Sequence, residues 1–143
     1  MSAAFDVRTA SWPDDERALH ALRHEVFVDE QSVPEEIEWD GRDSACMHAI
    51  ARSTAGEVIG CARLLPDGHI GRMAVRRAWR GRGVGSAMLE HLVALARSLG
   101  HARVVLNAQT HAESFYRRFG FAPVGEPFIE AGIAHQTMQR ELR

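Results

Sequence analysis

The most constraining feature of the sequence is the stretch from Arg72 to Leu89, RMAVRRAWRGRGVGSAML, in which arginines and glycines join a strand pattern to a helix pattern. Apolar residues alternate up to Val75, as in a strand, and recur at helical spacing from Gly83 onward. Glycines in such a connection allow positive φ and close backbone approach, so that successive N–H groups can converge on one anion at the start of a helix. Arginines add charge-assisted hydrogen bonds. The stretch therefore predicts a phosphate-binding loop.

Two common phosphate-binding loops are incompatible with this sequence. A P-loop needs the lysine of G-x-x-x-x-G-K-[ST], and the chain contains no lysine. A dinucleotide-binding fold places G-x-G-x-x-G in the first β–α turn, whereas this loop follows the fourth predicted strand. The hexapeptide RGRGVG, Arg80 to Gly85, instead reads R-x-x-G-x-G. Taken alone, it is also compatible with a glycine-rich connection whose arginines are solvated.

The hydrophobic periodicity of the whole chain predicts an α/β fold, and a length of 143 residues favours one domain spanning 1–143. Strands are predicted at 3–9, 45–53, 57–66, 69–75 and 102–108, and on both sides of Gly132; helices are predicted at 11–27, 83–99 and 111–119. The second helix should bury Val84, Met88, Leu89, Leu92, Val93, Ala96 and Leu99, with Gly100 as its cap. Residues 28–44 form an acidic loop with a short helix. We expect a mixed sheet with helices on both faces rather than a doubly wound sheet.

Composition argues against several classes of function. The formal net charge of −2 does not favour nucleic-acid binding, and no uncharged stretch is long and apolar enough to cross a membrane. We therefore expect a cytoplasmic protein without nucleic-acid or membrane partners. Cys46 and Cys61 lack CxxC spacing and are predicted to be buried, reduced thiols. The eight histidines lack the spacing of metal ligands, so no metal site is predicted.

Several motifs together resemble the GCN5-related N-acetyltransferases, the GNAT superfamily. The segment MAVRRAWRGRGVGSAML resembles motif A of this superfamily, and AESFYRRFGFAPVG, from Ala112 to Gly125, resembles motif B. The segments FVDEQSVPEEIEWD, LNAQTHAESFYRRFGF and FIEAGIAHQTM further resemble its small YjcF-like and ElaA-like bacterial branch. The resemblance covers residues 5–142. It implies a single-domain GNAT fold, with a mixed, mostly antiparallel sheet, helices on both faces and a splayed parallel strand pair at the cofactor site.

The resemblance also implies where acetyl coenzyme A (acetyl-CoA) would bind. The backbone of Met73, Ala74 and Val75 would pair with the pantetheine arm, as an added strand would. The pyrophosphate would be held by Arg80, Gly81, Arg82, Gly83, Val84, Gly85 and Ser86. Asn107 would bind the pantetheine arm from the opposite strand, and Ser114, Phe115, Tyr116 and Arg118 would flank the thiol end and the adenosine side. Tyr116 matches the family's general acid; a tyrosine that anchors a short helix to the core is the alternative.

Acetyl transfer to an amine requires a neutral amine, a donor for the developing oxyanion and a proton for the departing thiolate. Backbone N–H groups near Met73 to Val75 suit the oxyanion. For the general base we favour Glu130 or His135, because the segment EAGIAH is predicted to face the acceptor. Other candidates in the walls of the acceptor site are Glu30, Glu35, Glu36, Glu38, Glu126 and His111.

The expected function is transfer of the acetyl group of acetyl-CoA to a primary amine of a small-molecule acceptor, directly within a ternary complex. The alternative is a non-catalytic module that binds or senses acyl-CoA. The acidic loop would attract a cationic amine, whereas arginines facing it would favour a phosphorylated or carboxylated acceptor. The sequence leaves both acceptor types open, and the resemblance is compatible with a homodimer.

Overall fold

The computed structural model describes residues 4–35 and 39–142. The strands are β1 (Phe5–Thr9), β2 (Met47–Ser53), β3 (Val58–Leu64), β4 (His69–Val75), β5 (Arg103–Gln109), β6 (Ala122–Pro123), β7 (Phe128–Glu130) and β8 (Ile133–Glu141). The α-helices are α1 (Glu16–Arg23), α2 (Val84–Ser98) and α3 (Glu113–Arg117). A π-helical segment, His24–Glu30, continues α1, and 3₁₀ turns lie at Asp43–Ala45, Arg77–Trp79 and Thr110–Ala112.

One sheet contains the strands in the order β1-β2-β3-β4-β5-β8-β6, and β7 also pairs with β8. Neighbouring strands are antiparallel except β4 and β5, which are parallel. Among the described residues, β4 and β5 pair only at His69–Val105 and Ile70–Leu106. Beyond these pairs the two strands diverge toward their carboxyl ends. The expected mixed sheet with a splayed parallel pair is thereby confirmed.

A β-bulge in β4 accompanies the divergence. Arg63 of β3 lies opposite Gly71, whereas Cys61 lies opposite Ala74, so β4 has one residue more than β3 across this interval. Arg72, within the interval, has a φ of +48°. A bulge bends its strand locally, and here it frees the following residues of β4 from pairing with β5. Beyond Ile70, the edge of β4 that faces β5 is left without a strand partner among the described residues.

Helices cover both faces of the sheet, as predicted. Successive strand residues point to opposite faces, so Ala49 and Ile50 of β2 belong to different clusters of buried side chains. Leu19 and Leu22 of α1 pack with Ile50 on one face. On the other face, α2 contributes Val84, Met88, Leu89, Leu92, Val93 and Ala96 to the larger core. Both cysteines are buried as reduced thiols, as predicted.

Three details differ from the sequence-based expectations. The first α-helix ends at Arg23, and the predicted continuation to Phe27 is a π-helical turn. Leu99 is 55% exposed rather than part of the apolar face, because Gly100, with a φ of +88°, ends the helix there. The short strand β6 adds a third strand to the C-terminal region, where two were predicted. The longest helix, α2, has 15 residues, and no helix of the described chain could cross a bilayer.

Candidate active site

The divergence of β4 and β5 opens a cleft of about 1080 Å³. Ten predicted site residues line it: Met73, Ala74, Val75, Arg80, Gly85, Asn107, Phe115, Tyr116, Glu130 and His135. They come from β4, the following loop, the start of α2, β5, α3 and the β7–β8 hairpin. The structure thus brings together residues that are up to 62 positions apart in the chain, from Met73 to His135.

The glycine-rich loop presents a helix start at the mouth of this cleft. Gly81 and Gly83 have φ values of +76° and +85°, which favour glycine, and α2 begins immediately afterwards at Val84. The first N–H groups of an α-helix have no partner within the helix, so they can bind an anion. A Cβ atom built on Gly81 or Gly83 would meet nothing within 4 Å, so the space next to the loop is open. The geometry fits a pyrophosphate group.

The remaining predicted residues of the loop do not line the cleft. The Val84 side chain is buried in the core, where a Cβ atom on Gly60 would come within 2.9 Å of its Cγ1. Because residue 60 is glycine, the start of α2 at Val84 can lie close against β3. The Arg82 guanidinium lies 4.8 Å from the centre of the Trp79 ring. Ser86 also lies outside the cleft wall, so a role in phosphate binding for these residues stays a prediction.

Arg80 is held by Glu30, a residue 50 positions earlier in the chain. Its two terminal nitrogens donate to the Glu30 carboxylate at 2.6 and 2.8 Å, and its Nε donates to the Val75 carbonyl at 2.9 Å. The hydrogen bond from Arg80 lowers the pKa of Glu30. The carboxylate of Glu30 is therefore engaged as a counter-ion, which does not suit a general base.

The end of the π-helical segment connects both sides of the cleft. Glu30 binds Arg80 on the side of the glycine-rich loop, and the neighbouring Gln31 accepts a 2.9 Å hydrogen bond from Gln109 at the end of β5. Both residues belong to the cleft wall. The segment therefore holds the ends of the two diverging strands at a fixed distance.

Tyr116 on α3 is half-buried, and its hydroxyl lies 3.8 Å from the Sδ atom of Met73. Its ring packs edge-on against Phe115 and Phe121. Burial raises the pKa of Tyr116 to about 12, so the phenol stays protonated at neutral pH. Sulfur is a weak hydrogen-bond acceptor, which leaves the hydroxyl able to donate to a ligand. The position and protonation state suit a general acid.

Two neighbours of Tyr116 that were predicted to flank the cofactor point elsewhere. Ser114 and Arg118 are exposed and lie outside the cleft wall, and the Arg118 guanidinium is 5.9 Å from the Phe115 ring centre. On the opposite strand, Asn107 uses its side-chain oxygen to accept a 2.8 Å hydrogen bond from Thr137. The amide nitrogen of Asn107 is thereby the end that can donate to a ligand in the cleft.

The β7–β8 hairpin places both favoured base candidates at the cleft. Ala131 and Gly132, with φ values of +51° and +77°, form a tight turn of the kind that suits a two-residue hairpin. Glu130 is exposed, whereas His135 is 9% exposed and its Nδ1 lies 2.7 Å from the Ile133 carbonyl. Because a carbonyl only accepts, Nδ1 carries a proton, and in the neutral imidazole Nε2 then carries the lone pair. His135 can therefore accept a proton through Nε2.

The other base candidates are less well placed. His111 lines the cleft, but Glu126 does not. Glu35 accepts a hydrogen bond from the indole of Trp39 at 3.1 Å. Glu36 and Glu38 lie outside the described residues. The identity of the base stays a prediction, and no group of His, Cys, Asp or Glu side chains within 4–35 and 39–142 has a geometry that could hold a metal ion.

An ion-pair network that the sequence-based analysis did not anticipate lies at the other end of the cleft. Arg63, 4% exposed near the end of β3, contacts Asp40 through two hydrogen bonds of 2.9 and 3.0 Å and Asp43 through one of 3.0 Å. Asp40 also contacts Arg72 at 3.4 Å and accepts the backbone N–H of Arg42. An arginine within the apolar run GCARLL was the signal available in the sequence, since a buried arginine needs an acidic partner.

Burial opposes ionisation of both aspartates, yet hydrogen bonds from arginines lower their pKa values: Arg63 acts on Asp40, and Arg23 and Arg63 act on Asp43. Asp43 also accepts from the His20 imidazole at 3.2 Å. Both carboxylates are therefore ionised and paired at neutral pH. They are unsuited to binding the cationic amine that the acidic loop was expected to attract.

Comparisons with known proteins agree with this geometry. A family model described as an acetyltransferase (GNAT) domain matches residues 12–142. The uncharacterized N-acetyltransferase YjcF of Bacillus subtilis is 34% identical over 124 residues, which cover 84% of this chain and 88% of YjcF. The crystal structure of Escherichia coli ElaA superposes with a TM-score of 0.84 at 32% identity, covering 96% of this chain and 99% of ElaA. An acyl-CoA N-acyltransferase from Pseudomonas aeruginosa superposes with a TM-score of 0.83 at 33% identity, covering 97% of this chain and 99% of its own. This chain therefore belongs to the GNAT acetyltransferases, in their YjcF-like and ElaA-like branch, and is an acyl-CoA-dependent N-acyltransferase.

Proposed function

We propose that this protein, as one domain over residues 1–143, transfers the acetyl group of acetyl-CoA directly to a primary amine of a small molecule within a ternary complex. The observation that carries the proposal is the placement of Tyr116. A phenol that remains protonated lies beside Met73, where β4 leaves β5, and His135 with a free Nε2 belongs to the same cleft wall. Direct transfer needs such an acid and such a base around one reaction centre.

Different residues of the cleft would bind different parts of acetyl-CoA. The unpaired edge of β4 from Met73 to Val75 would bind the pantetheine arm by backbone hydrogen bonds, and Asn107 would donate to it from β5. The N–H groups at the start of α2 would hold the pyrophosphate. Arg80 would support the loop through its bond to the Val75 carbonyl and its ion pair with Glu30.

In the proposed acetyl transfer, His135 is the proton acceptor and Tyr116 is the proton donor. The nitrogen of the neutral amine bonds to the acetyl carbonyl carbon, and His135, directly or through one water molecule, accepts the proton that this nitrogen loses in the tetrahedral intermediate. Backbone N–H groups of β4 stabilise the negative oxygen that develops. The carbon–sulfur bond breaks, and Tyr116 donates its proton to the departing thiolate. The products are an N-acetyl amine and free coenzyme A, and the tyrosine recovers a proton from solvent.

The test incubates the full chain with acetyl-CoA and a panel of amines, and follows both free thiol release and N-acetyl product by mass spectrometry. We expect stoichiometric thiol and product with at least one amine. Binding of coenzyme A without any acetylated product would contradict the proposal and favour a non-catalytic acyl-CoA-binding module. A steady-state pattern in which the acetyl group transfers to the protein before amine is added would contradict direct transfer.

A further inference from the structure

The acceptor end of the cleft has an excess of positive charge, although it lies next to the acidic loop. Its wall contains three arginines, Arg42, Arg63 and Arg72, against two aspartates, Asp40 and Asp67. Asp43 and Arg23 lie behind Arg63 and pair with each other at 2.9 Å, so they do not alter the balance. At this end of the cleft, guanidinium groups therefore outnumber aspartates by one among the described side chains; His69 contacts Asp67 at 3.0 Å, and Glu130 lines the same cleft from the β7–β8 hairpin. A positive site does not favour a second cation on the acceptor.

Asp40 contacts all three arginines, Arg63 and Arg72 through their guanidinium groups and Arg42 through its backbone N–H. Its carboxylate accepts two hydrogen bonds from Arg63, contacts Arg72 and accepts the backbone N–H of Arg42. These contacts occupy both oxygens of Asp40. The aspartate thus positions the arginines rather than binding a ligand itself.

Two donors in this wall are not used by the protein. The Nε atom of Arg63 is buried and has no hydrogen-bond partner among the described residues. A buried N–H without a partner is costly, and Arg63 as a whole is 96% buried, so the contacts of its terminal nitrogens with Asp40 and Asp43 are what hold its guanidinium in this wall. The exposed guanidinium of Arg42 also lines the cleft, and within the described chain it makes no hydrogen bond or ion pair.

We propose that this arginine cluster binds a carboxylate of the acceptor, so that the substrate is an amine that also carries a carboxylate. The inference rests on the proposed function and adds the substrate class to it. One guanidinium without a carboxylate partner in the described chain, that of Arg42, matches a monoanionic carboxylate better than a phosphate dianion, and guanidinium groups bind carboxylates through paired hydrogen bonds. Arg42 and Arg72 line the same cleft as Met73 and Tyr116, so the carboxylate site and the reaction centre belong to one cleft. In a small amino acid, the amine could reach the reaction centre while the carboxylate binds the arginine cluster.

The decisive experiment compares amino acids with the amines that remain when the carboxylate is removed. The pairs are phenylalanine with phenethylamine and 4-aminobutyrate with propylamine, and O-phosphoethanolamine represents a phosphate-bearing amine. We expect kcat/KM to be about tenfold or more higher for the carboxylate-bearing member of at least one pair, as for one added charge-assisted hydrogen bond. Equal use of both members in both pairs, or preference for O-phosphoethanolamine, would overturn the inference.

Arg42 offers a variant that should fold, because its side chain is exposed and Asp40 binds only its backbone N–H. In Arg42→Gln, the kcat/KM ratio of phenylalanine to phenethylamine should fall about tenfold, and Arg42→Lys, which keeps the charge but loses the planar fork, should retain part of it. The matched control is Arg17→Gln, an exposed arginine of α1 outside the cleft that removes the same charge. An unchanged ratio in Arg42→Gln, or the same fall in Arg17→Gln, would refute the assignment.

A binding measurement separates this inference from the proposed function. N-acetylphenylalanine, titrated calorimetrically into the protein saturated with coenzyme A, should bind about tenfold more weakly to Arg42→Gln than to the unaltered protein. If no amine is acetylated, the proposed function fails, whereas this titration still tests the carboxylate site. Binding that is undetectable, or equal in both proteins, contradicts the carboxylate site regardless of turnover.

Discussion

Replacing Tyr116 by phenylalanine tests the proposed mechanism at its central residue. The substitution removes one hydroxyl group and keeps the ring that packs against Phe115 and Phe121. The contact of that hydroxyl in the described structure is the Met73 sulfur at 3.8 Å, a weak acceptor. The free energy of unfolding should therefore change by less than about 1 kcal/mol. Loss of activity would then report on chemistry rather than on folding.

The expected loss of kcat is about 100-fold. General acid catalysis contributes on the order of 100- to 10,000-fold, and its efficiency depends on the match between the pKa values of donor and acceptor. Burial raises the pKa of Tyr116 to about 12, whereas a free thiol has a pKa of about 8.5. The phenol is thus a weak acid for this thiolate, which places the effect at the lower end of the range. Since the phenol ionises only near pH 12, its deprotonation should cause no fall in wild-type kcat between pH 7 and 10.

The assay measures kcat by thiol release with the best amine of the panel, and coenzyme A affinity by calorimetry. Tyr116→Phe should lower kcat while changing the affinity for coenzyme A less than about threefold, because the lost hydroxyl acts mainly in the transition state. An unchanged kcat would refute the acid role. A large loss of affinity with an unchanged rate per bound complex would assign Tyr116 to cofactor binding instead.

Three further substitutions test the loop, the ion-pair network and the core. Gly83→Val should weaken coenzyme A binding about tenfold or more by calorimetry, because valine is strained at a φ of +85° and its side chain occupies the space over the loop. The control for strain is Gly56→Val, at a φ of +90° in the β2–β3 turn, which should leave the affinity for coenzyme A unchanged. Asp43→Asn should cost about 3–5 kcal/mol in urea unfolding, because it leaves buried arginines without their carboxylate. Burial opposes ionisation of Asp43, but arginine hydrogen bonds lower its pKa in the folded protein. The stabilisation by Asp43 is therefore present above the usual aspartate pKa and is lost as the pH falls through the pKa of the folded state. The decline of stability below about pH 4 should be shallower in the variant, and an equal slope would contradict this role. Leu92→Ala should cost about 2–5 kcal/mol in the same urea assay, since Leu92 is fully buried, and a change below about 1 kcal/mol would contradict its place in the core.

The conformation of the glycine-rich loop could be predicted because its determinants are local. Alternation up to Val75, glycines with positive φ and a helical pattern from Val84 all lie within twenty residues, and each acts on the backbone next to it. The hydrophobic faces of α1 and α2 are local for the same reason. Leu99 illustrates the limit of periodicity: it continues the apolar spacing of α2, but the cap at Gly100 ends the helix before Leu99 can be buried.

The details of the cleft depend on residues that are distant in sequence, which is why the sequence did not predict them. The bulge at Arg72 arises from the register between β3 and β4, and register is set by tertiary packing. The partner of Arg80 is Glu30, in a segment whose π-helical end follows no simple periodicity. Arg80 was predicted to contact phosphate directly. In the structure it is bound to a carboxylate and a carbonyl, so its effect on phosphate would act through the position of the loop.

The acceptor end shows why the charge of a segment is a poor guide to the charge of a site. Residues 28–44 carry many acidic side chains, and their sum suggests attraction of a cation. Of those that the structure describes, Glu30 is paired with Arg80, and Asp40 and Asp43 are paired with Arg63. Once these carboxylates are paired, the charged side chain of residues 28–44 that faces the cleft without a partner in the described structure is that of Arg42. A buried arginine in a strand is thus the more informative signal, because it predicts that acidic side chains of the loop turn toward the strand and pair with it.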